Sequence, residues 1–177
     1  MIALIAAVAI TTMFVWYIYN RTNALKNMVY DGFMNLDKEL KKRYELLPEF
    51  IVLVKGYATL EQDALDNVIK SMPSMGTYSS LSLKDKLKVD ESIGDCVTRL
   101  ISLGDSYTNL RLTEGFEEVS NKLAKVEEEL LKARRYYNAC VSTYNMKLQQ
   151  FPNRLFAEAF GFEVMEDFAT MPNEIRR

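Results

Sequence analysis

Residues 2–19 form an uncharged and mostly apolar run, and the first charged side chain of the chain is Arg21. A helix of this length spans roughly 27 Å, about the thickness of the hydrocarbon core of a bilayer. A signal peptide would place basic residues before this run and a small-residue cleavage site after it, whereas here bulky aromatic residues end it. The run therefore predicts an uncleaved transmembrane anchor. Its apolar side chains are Ile2, Leu4, Ile5, Val8, Ile10, Phe14, Val15, Trp16 and Ile18.

The two ends of this run predict how the chain is oriented. Trp16, Tyr17 and Tyr19 at its C-terminal end are typical of the aromatic belt at a membrane–water interface. Basic residues next to a membrane span favour the cytoplasmic side, and they are absent before the anchor but follow it at Arg21 and Lys26. We therefore expect the N-terminus outside and the remainder of the chain in the cytoplasm.

Composition excludes several kinds of chemistry. The 177 residues leave room for one domain of about 150 residues beyond the anchor, and a net charge of −2 does not favour nucleic-acid binding. The chain has no histidine, which removes Ser-His-Asp catalysis, most zinc sites and helix-bundle di-iron sites. Cys96 and Cys140 fit no metal-binding spacing and are interpreted as packed thiols. With no phosphate loop either, we expect no enzyme activity, cofactor, metal or small-molecule substrate.

Apolar residues recur at steps of three and four along three long stretches, which is the pattern of amphipathic helices. Pro48 should kink the first helix near Tyr44, residues 71–82 read as a loop, and Ser82 with Asp85 resembles a capping box that opens the second helix. Thr113 can cap the third helix, and Pro152 ends it. The first stripe is Val29, Phe33, Leu36, Leu40, Tyr44, Leu47, Ile51, Val54 and Ala58. The third is Phe116, Val119, Leu123, Val126, Leu130, Ala133, Tyr137, Cys140, Tyr144, Leu148 and Phe151.

These stripes predict an all-α fold without strands. We expect an elongated antiparallel helical bundle whose N-terminal transmembrane helix is continuous with the first long helix. The expected organisation is an anchor at residues 1–20, a cytoplasmic bundle at 21–162 and a flexible tail at 163–177. One short helical piece is expected within residues 153–160.

Two groups of polar residues each allow more than one interpretation. The basic cluster Lys38, Lys41, Lys42 and Arg43 is interpreted as a solvated face, partly paired with the acids at 127–129, rather than as a lipid-binding site. The pairs Tyr137-Asn138 and Tyr144-Asn145 recur one heptad apart. Packing is the leading interpretation, with the tyrosines filling the helix interface and the asparagines fixing its register, and a ligand or peptide groove is the alternative.

Two blocks of sequence also carry a family resemblance. The first runs from Leu36 to Pro48 (LDKELKKRYELLP) and on to Glu61, and the second runs from Ala133 (ARRYYN) to Phe162. Together with the anchor, they resemble the LemA family of bacterial membrane proteins, as a divergent member. The residues that carry the resemblance are Leu40, Arg43, Tyr44, Pro48, Lys55, Gly56, Tyr57, Glu61, Arg134, Tyr137, Asn138, Tyr144, Asn145, Phe151, Pro152, Gly161 and Phe162.

The resemblance implies an anchored helical bundle in the bacterial inner membrane, in which these residues are mainly structural, and it implies no particular biochemical activity. The functional hypothesis is a non-enzymatic, single-pass scaffold that contacts the lipid bilayer and forms homo-oligomers by helix packing of the coiled-coil type. The alternative is an adaptor or regulatory subunit of a membrane enzyme or protease complex, with a membrane-protein partner.

Overall fold

The computed structural model describes residues 1–55, 74–82, 85–86, 88–91, 93–94 and 115–167, and these residues contain helices and no strand. The all-α prediction is confirmed. The helices are α1 (Ile2–Lys55), α2 (Met75–Ser80), α3 (Phe116–Gln149) and α4 (Asn153–Ala157). Contacts divide the chain into two compact units. We call residues 1–36 with 132–177 the anchor unit, and residues 37–131 the ion-pair unit.

Helix α1 carries the predicted anchor and continues beyond it without a break, as expected from the absence of any turn signal. By length and composition it is a candidate membrane-spanning helix, and the side chains of residues 1–14 are all exposed. Pro48 lies inside α1, and the helix extends past it to Lys55. The predicted boundaries at residues 20 and 162 stay a prediction.

In the anchor unit, α1 and α3 pack antiparallel through the predicted stripes. Phe33 lies 6.4 Å from Tyr137 between ring centroids, and Gly32 lies opposite Tyr136. The buried apolar side chains of this unit are Ile18, Val29, Leu36, Ala133, Tyr137, Cys140, Val141, Tyr144 and Leu148. The expected burial of Cys140 is therefore confirmed, whereas Cys96 lies outside the described residues.

In the ion-pair unit, the same two helices pack antiparallel and a third segment joins them. Phe50 of α1 stacks on Phe116 of α3 at 5.6 Å, and Tyr44 stacks on Tyr78 of α2 at 4.3 Å. Leu40, Leu47, Ile51, Val54, Val119, Leu123 and Leu130 are buried around these rings. Most of the predicted stripe residues that the structure describes are thus buried, while Phe33 and Val126 are half-buried.

Two local expectations change. The predicted loop at 71–82 contains α2, because the Ser74 hydroxyl accepts a hydrogen bond from the Thr77 N–H and caps a short helix. Phe151 was expected in the third stripe but is 82% exposed, because α3 ends at Gln149 and the chain turns before it. The capping box at Ser82 is confirmed by its hydrogen bonds with Asp85. Ala58 and Thr113 lie outside the described residues.

Candidate functional site

A groove in the anchor unit holds an extended segment of the chain, residues 162–167, which we call the strap. The strap follows α4 and contains no helix or strand. Gly161, just before it, has φ 68°, a left-handed conformation that glycine adopts without a Cβ clash. The chain can therefore reverse after α4 and pass along α3.

Asn145 fixes the strap by recognising its backbone. The Asn145 Nδ2 donates to the carbonyl of Met165 at 2.7 Å, and the Met165 N–H donates to the Asn145 Oδ1 at 3.0 Å. One side-chain amide thus satisfies both backbone polar groups of a single residue, as a neighbouring strand would. The contact depends on the backbone and not on the side chain at position 165.

Tyr137 makes the next contact along the strap. Its hydroxyl donates to the carbonyl of Glu166 at 3.1 Å. Burial raises the pKa of Tyr137, and the nearby carboxylates of Asp167 and Glu166 raise it further, so the hydroxyl stays a donor at neutral pH. Tyr144 is fully buried beside it, and burial raises its pKa as well.

The N-terminal end of the strap lies against α1. The ring centroid of Phe162 is 5.8 Å from that of Tyr19, and the Lys26 Nζ lies 5.9 Å from the Phe162 centroid. Phe160 meets Tyr19 edge to face at 5.3 Å. Aromatic and cation–π contacts of this kind contribute about 0.5–1.5 kcal/mol each beyond simple burial.

An open depression of about 530 Å³ lies beside the strap, lined among others by Ser142, Met146 and Gln149 of α3. The predicted Tyr-Asn pairs thus combine the two interpretations, packing at the helix interface and a groove for a peptide. Tyr137 and Tyr144 fill the helix interface, while Asn145 and the Tyr137 hydroxyl bind a peptide segment that belongs to the same chain. The predicted tail begins at residue 163, and within it Met165 and Glu166 make these specific contacts.

A second polar cluster lies in the ion-pair unit around Arg43. Its guanidinium pairs with the carboxylate of Asp90, and Nη2 also donates to the Asp90 carbonyl at 2.8 Å. Nη1 lies 3.3 Å from the Glu127 Oε1. Burial lowers the pKa of Arg43, but the carboxylate of Glu127 opposes that shift and the side chain stays charged.

Asp37 and Lys86 form a neighbouring buried pair, 2.7 Å apart, and Lys41 lies 2.9 Å from the other oxygen of Asp37. Burial alone would raise the pKa of Asp37. Hydrogen bonds from Lys86 and Lys41, together with their charges, outweigh burial and lower it. The Lys86 Nζ also lies 5.7 Å from the ring centroid of Tyr78.

These pairs show that one member of the basic cluster, Arg43, does not lie on a solvated face as predicted. Lys38 is exposed and Lys42 pairs locally with Glu39 at 2.7 Å, as a solvated face requires, and the predicted pairing of Arg43 with Glu127 is confirmed. Arg43 itself, however, is buried to 2% exposure, because its position on α1 falls within the core stripe. The role of Asp90 as its partner was missed, since nothing in local spacing connects positions 43 and 90.

The family-motif residues differ in burial where the structure describes them, and their mainly structural role stays a prediction. Leu40, Arg43, Tyr44, Tyr137 and Tyr144 are buried. Half-buried positions are Arg134, Asn138, Asn145, Pro152 and Phe162, and exposed positions are Pro48, Phe151 and Gly161. The Lys55 side chain, Gly56, Tyr57 and Glu61 lie outside the described residues.

Comparison with known proteins agrees with the two sequence blocks. Over 89 residues the chain is 27% identical to magnetosome proteins MamQ 1 and MamQ 2 of Paramagnetospirillum magneticum, and 25% identical to MamQ of Magnetospirillum gryphiswaldense. Each alignment covers 50% of this chain and 33% of the relative, so the match spans about a third of those proteins. The sequence model of the LemA family matches residues 32–177, and the chain therefore belongs to the LemA family.

Proposed function

We propose that this protein is a non-enzymatic membrane-anchored scaffold whose copies associate side by side through the outer face of α1. The observation that carries the proposal is a second stripe on α1, outside its core stripe. Its members alternate steps of four and three residues and share one helix face. This outer stripe consists of Trp16, Asn20, Asn23, Asn27, Tyr30 and Met34.

The outer stripe is available to a partner. Trp16, Tyr30 and Met34 are 64%, 54% and 63% exposed, which is unusual for three large side chains on one helix face. Asn20 and Asn27 are exposed between them. Asparagines within such a stripe pair across a helix dimer and fix its register at some cost in stability, which favours a second copy over an unrelated apolar surface.

The continuity of α1 supports the same proposal. Since one helix carries both the anchor and the outer stripe, the membrane fixes which face each copy presents to its neighbours. Confinement to a bilayer also raises the effective concentration of copies, so a modest interface is sufficient for association. We place the N-terminus outside the inner membrane and the bundle in the cytoplasm, on the strength of Arg21 and Lys26.

The role of the buried charges supports a scaffold without catalysis. Arg43, Asp90, Asp37 and Lys86 are paired with one another across separate segments of the ion-pair unit, which is how charges join helices.

The test is the mass of the full-length protein in mild detergent, measured by light scattering across a dilution series. We expect an assembly of defined stoichiometry, and Met34→Arg should weaken it at least about tenfold, equivalent to about 1.4 kcal/mol. Leu131→Arg on α3 is the matched control, because Leu131 is also an exposed apolar residue of a long helix. A monomeric full-length protein at all concentrations would overturn self-association and favour the adaptor hypothesis.

A further inference from the structure

A set of large apolar side chains projects outward from the segment that follows α3. Phe151, Leu155, Phe160 and Val164 are 82%, 66%, 36% and 64% exposed. They come from α4 and the residues on either side of it, and we call them the α4 patch. Four such exposed side chains within fourteen residues are an unusual concentration of apolar groups, which calls for a partner.

The position of the α4 patch identifies that partner. Phe160 packs edge to face on Tyr19 at 5.3 Å, and Phe156 of α4 stacks on Phe160 at 6.1 Å. Ile18, the residue before Tyr19, is 5% exposed although it belongs to the apolar anchor. The α4 patch is therefore beside α1 at the C-terminal end of the anchor, where the aromatic belt meets the headgroups.

The orientation of this segment is fixed by its own backbone. The Phe160 N–H donates to the Phe156 carbonyl at 3.0 Å, and the Phe162 N–H donates to the Ala157 carbonyl at 2.9 Å. These bonds close the turn after α4, and the strap contacts at Asn145 hold the chain that follows. The apolar side chains are thus presented by a folded segment and not by a loose end.

We propose that the α4 patch inserts into the headgroup–acyl boundary of the bilayer that the anchor crosses, as a second membrane contact of the protein. Short apolar segments bury about 5–10 Å into this boundary when their polar groups can remain at its surface. Arg154 on α4 and Arg21 on α1 are exposed and suit anionic headgroups. Glu158 and Glu163 are also exposed and keep contact with water at the same level.

This contact gives the scaffold a fixed tilt and rotation, since a helix held at two points in the interface cannot rotate freely about its axis. A second copy is a less suitable partner for the α4 patch, because the proposed association uses the outer stripe of α1, to which the α4 patch does not belong. The inference depends on the membrane anchor of the proposed function but not on self-association, and the two can fail separately.

The experiment uses the full chain in lipid vesicles, with a tryptophan as the probe. Trp16 is the only tryptophan, so Leu155→Trp is made in a Trp16→Phe background. The matched control is Glu129→Trp in the same background, since Glu129 is exposed on α3 in the ion-pair unit. The vesicles contain phospholipid brominated near the carbonyl end of its acyl chains, which quenches tryptophan fluorescence only at short range.

We expect tryptophan at position 155 to show blue-shifted emission and about a twofold or greater loss of fluorescence, because the boundary region extends about 5–10 Å. The control should keep solvent-like emission and lose little fluorescence. Solvent-like emission at position 155 overturns the proposal. Blue-shifted emission without quenching, disappearing when protein is diluted with lipid, also overturns it and assigns the α4 patch to a contact between copies.

Discussion

The anchor unit and the ion-pair unit use the same two helices but hold them together by different forces. All five charged residues that are buried in the described part of the chain, Asp37, Glu39, Arg43, Lys86 and Asp90, lie in the ion-pair unit. Among the described residues of the anchor unit, the buried polar residue is Thr22. The contacts described above for this unit are aromatic, cation–π and side-chain-to-backbone hydrogen bonds.

The difference has a physical reason. An ion pair offsets the free-energy cost of desolvating its charges only when its own geometry is favourable and additional hydrogen bonds form. It then strongly favours one partner segment over others. The ion-pair unit joins α1 and α3 to a third segment, which carries Lys86 and Asp90. The anchor unit joins α1 and α3 along a continuous apolar stripe, so shape and area suffice.

The largest expected effect comes from breaking the buried charge cluster. Arg43→Ala leaves Asp90 buried without its cation, and we expect a loss of about 3–5 kcal/mol in the free energy of unfolding. Denaturant unfolding of the full-length protein in mild detergent measures it by circular dichroism. Lys122→Ala is the control in the same unit and should cost little, because its pair with Glu118 is exposed on both sides. Equal losses for both variants would contradict the conclusion that buried ion pairs hold the ion-pair unit together.

A smaller effect is expected from releasing the strap. Asn145→Ala removes two hydrogen bonds to Met165, and we expect a loss of about 1–3 kcal/mol that is confined to the anchor unit. Hydrogen exchange should become faster at residues 163–167 while the residues around Arg43 keep their protection. Ser142→Ala, on the exposed side of the same groove, should leave exchange unchanged. Unaltered protection of the strap in Asn145→Ala would show that the apolar contacts alone hold it.

The smallest expected effect is a loss of stability at acidic pH that is confined to the ion-pair unit. The pKa of Asp37 is lowered from 3.8 in the folded protein, so its stabilisation is complete above that value. It is lost as the pH falls through the lower, folded pKa. Below pH 3.8 we therefore expect the ion-pair unit to lose protection before the anchor unit, as measured by hydrogen exchange. Asp37→Asn should remove part of this dependence, and an identical pH profile for the variant would exclude Asp37 as its source.

The sequence predicts much of this architecture because helical periodicity is a local signal. Val29, Leu36, Leu123 and Leu130 are buried because their spacing places them on one face, whatever the partner helix is. The anchor, the capping box at Ser82 and the end of α3 before Pro152 are likewise set by neighbouring residues. Residues 56–73 and 95–114 lie outside the described parts, and predictions there stay predictions.

By itself, then, the sequence determined an all-α chain, its apolar run, its core stripes and its family. Only the tertiary structure showed that Arg43 forms an ion pair with Asp90, that Asn145 hydrogen-bonds to the backbone of Met165, and that Phe160 packs against Tyr19. Each of these contacts joins positions at least twenty residues apart. Periodicity specifies which face of a helix is buried, but the partner of a single polar or aromatic side chain depends on how distant segments pack, and no local pattern encodes that choice.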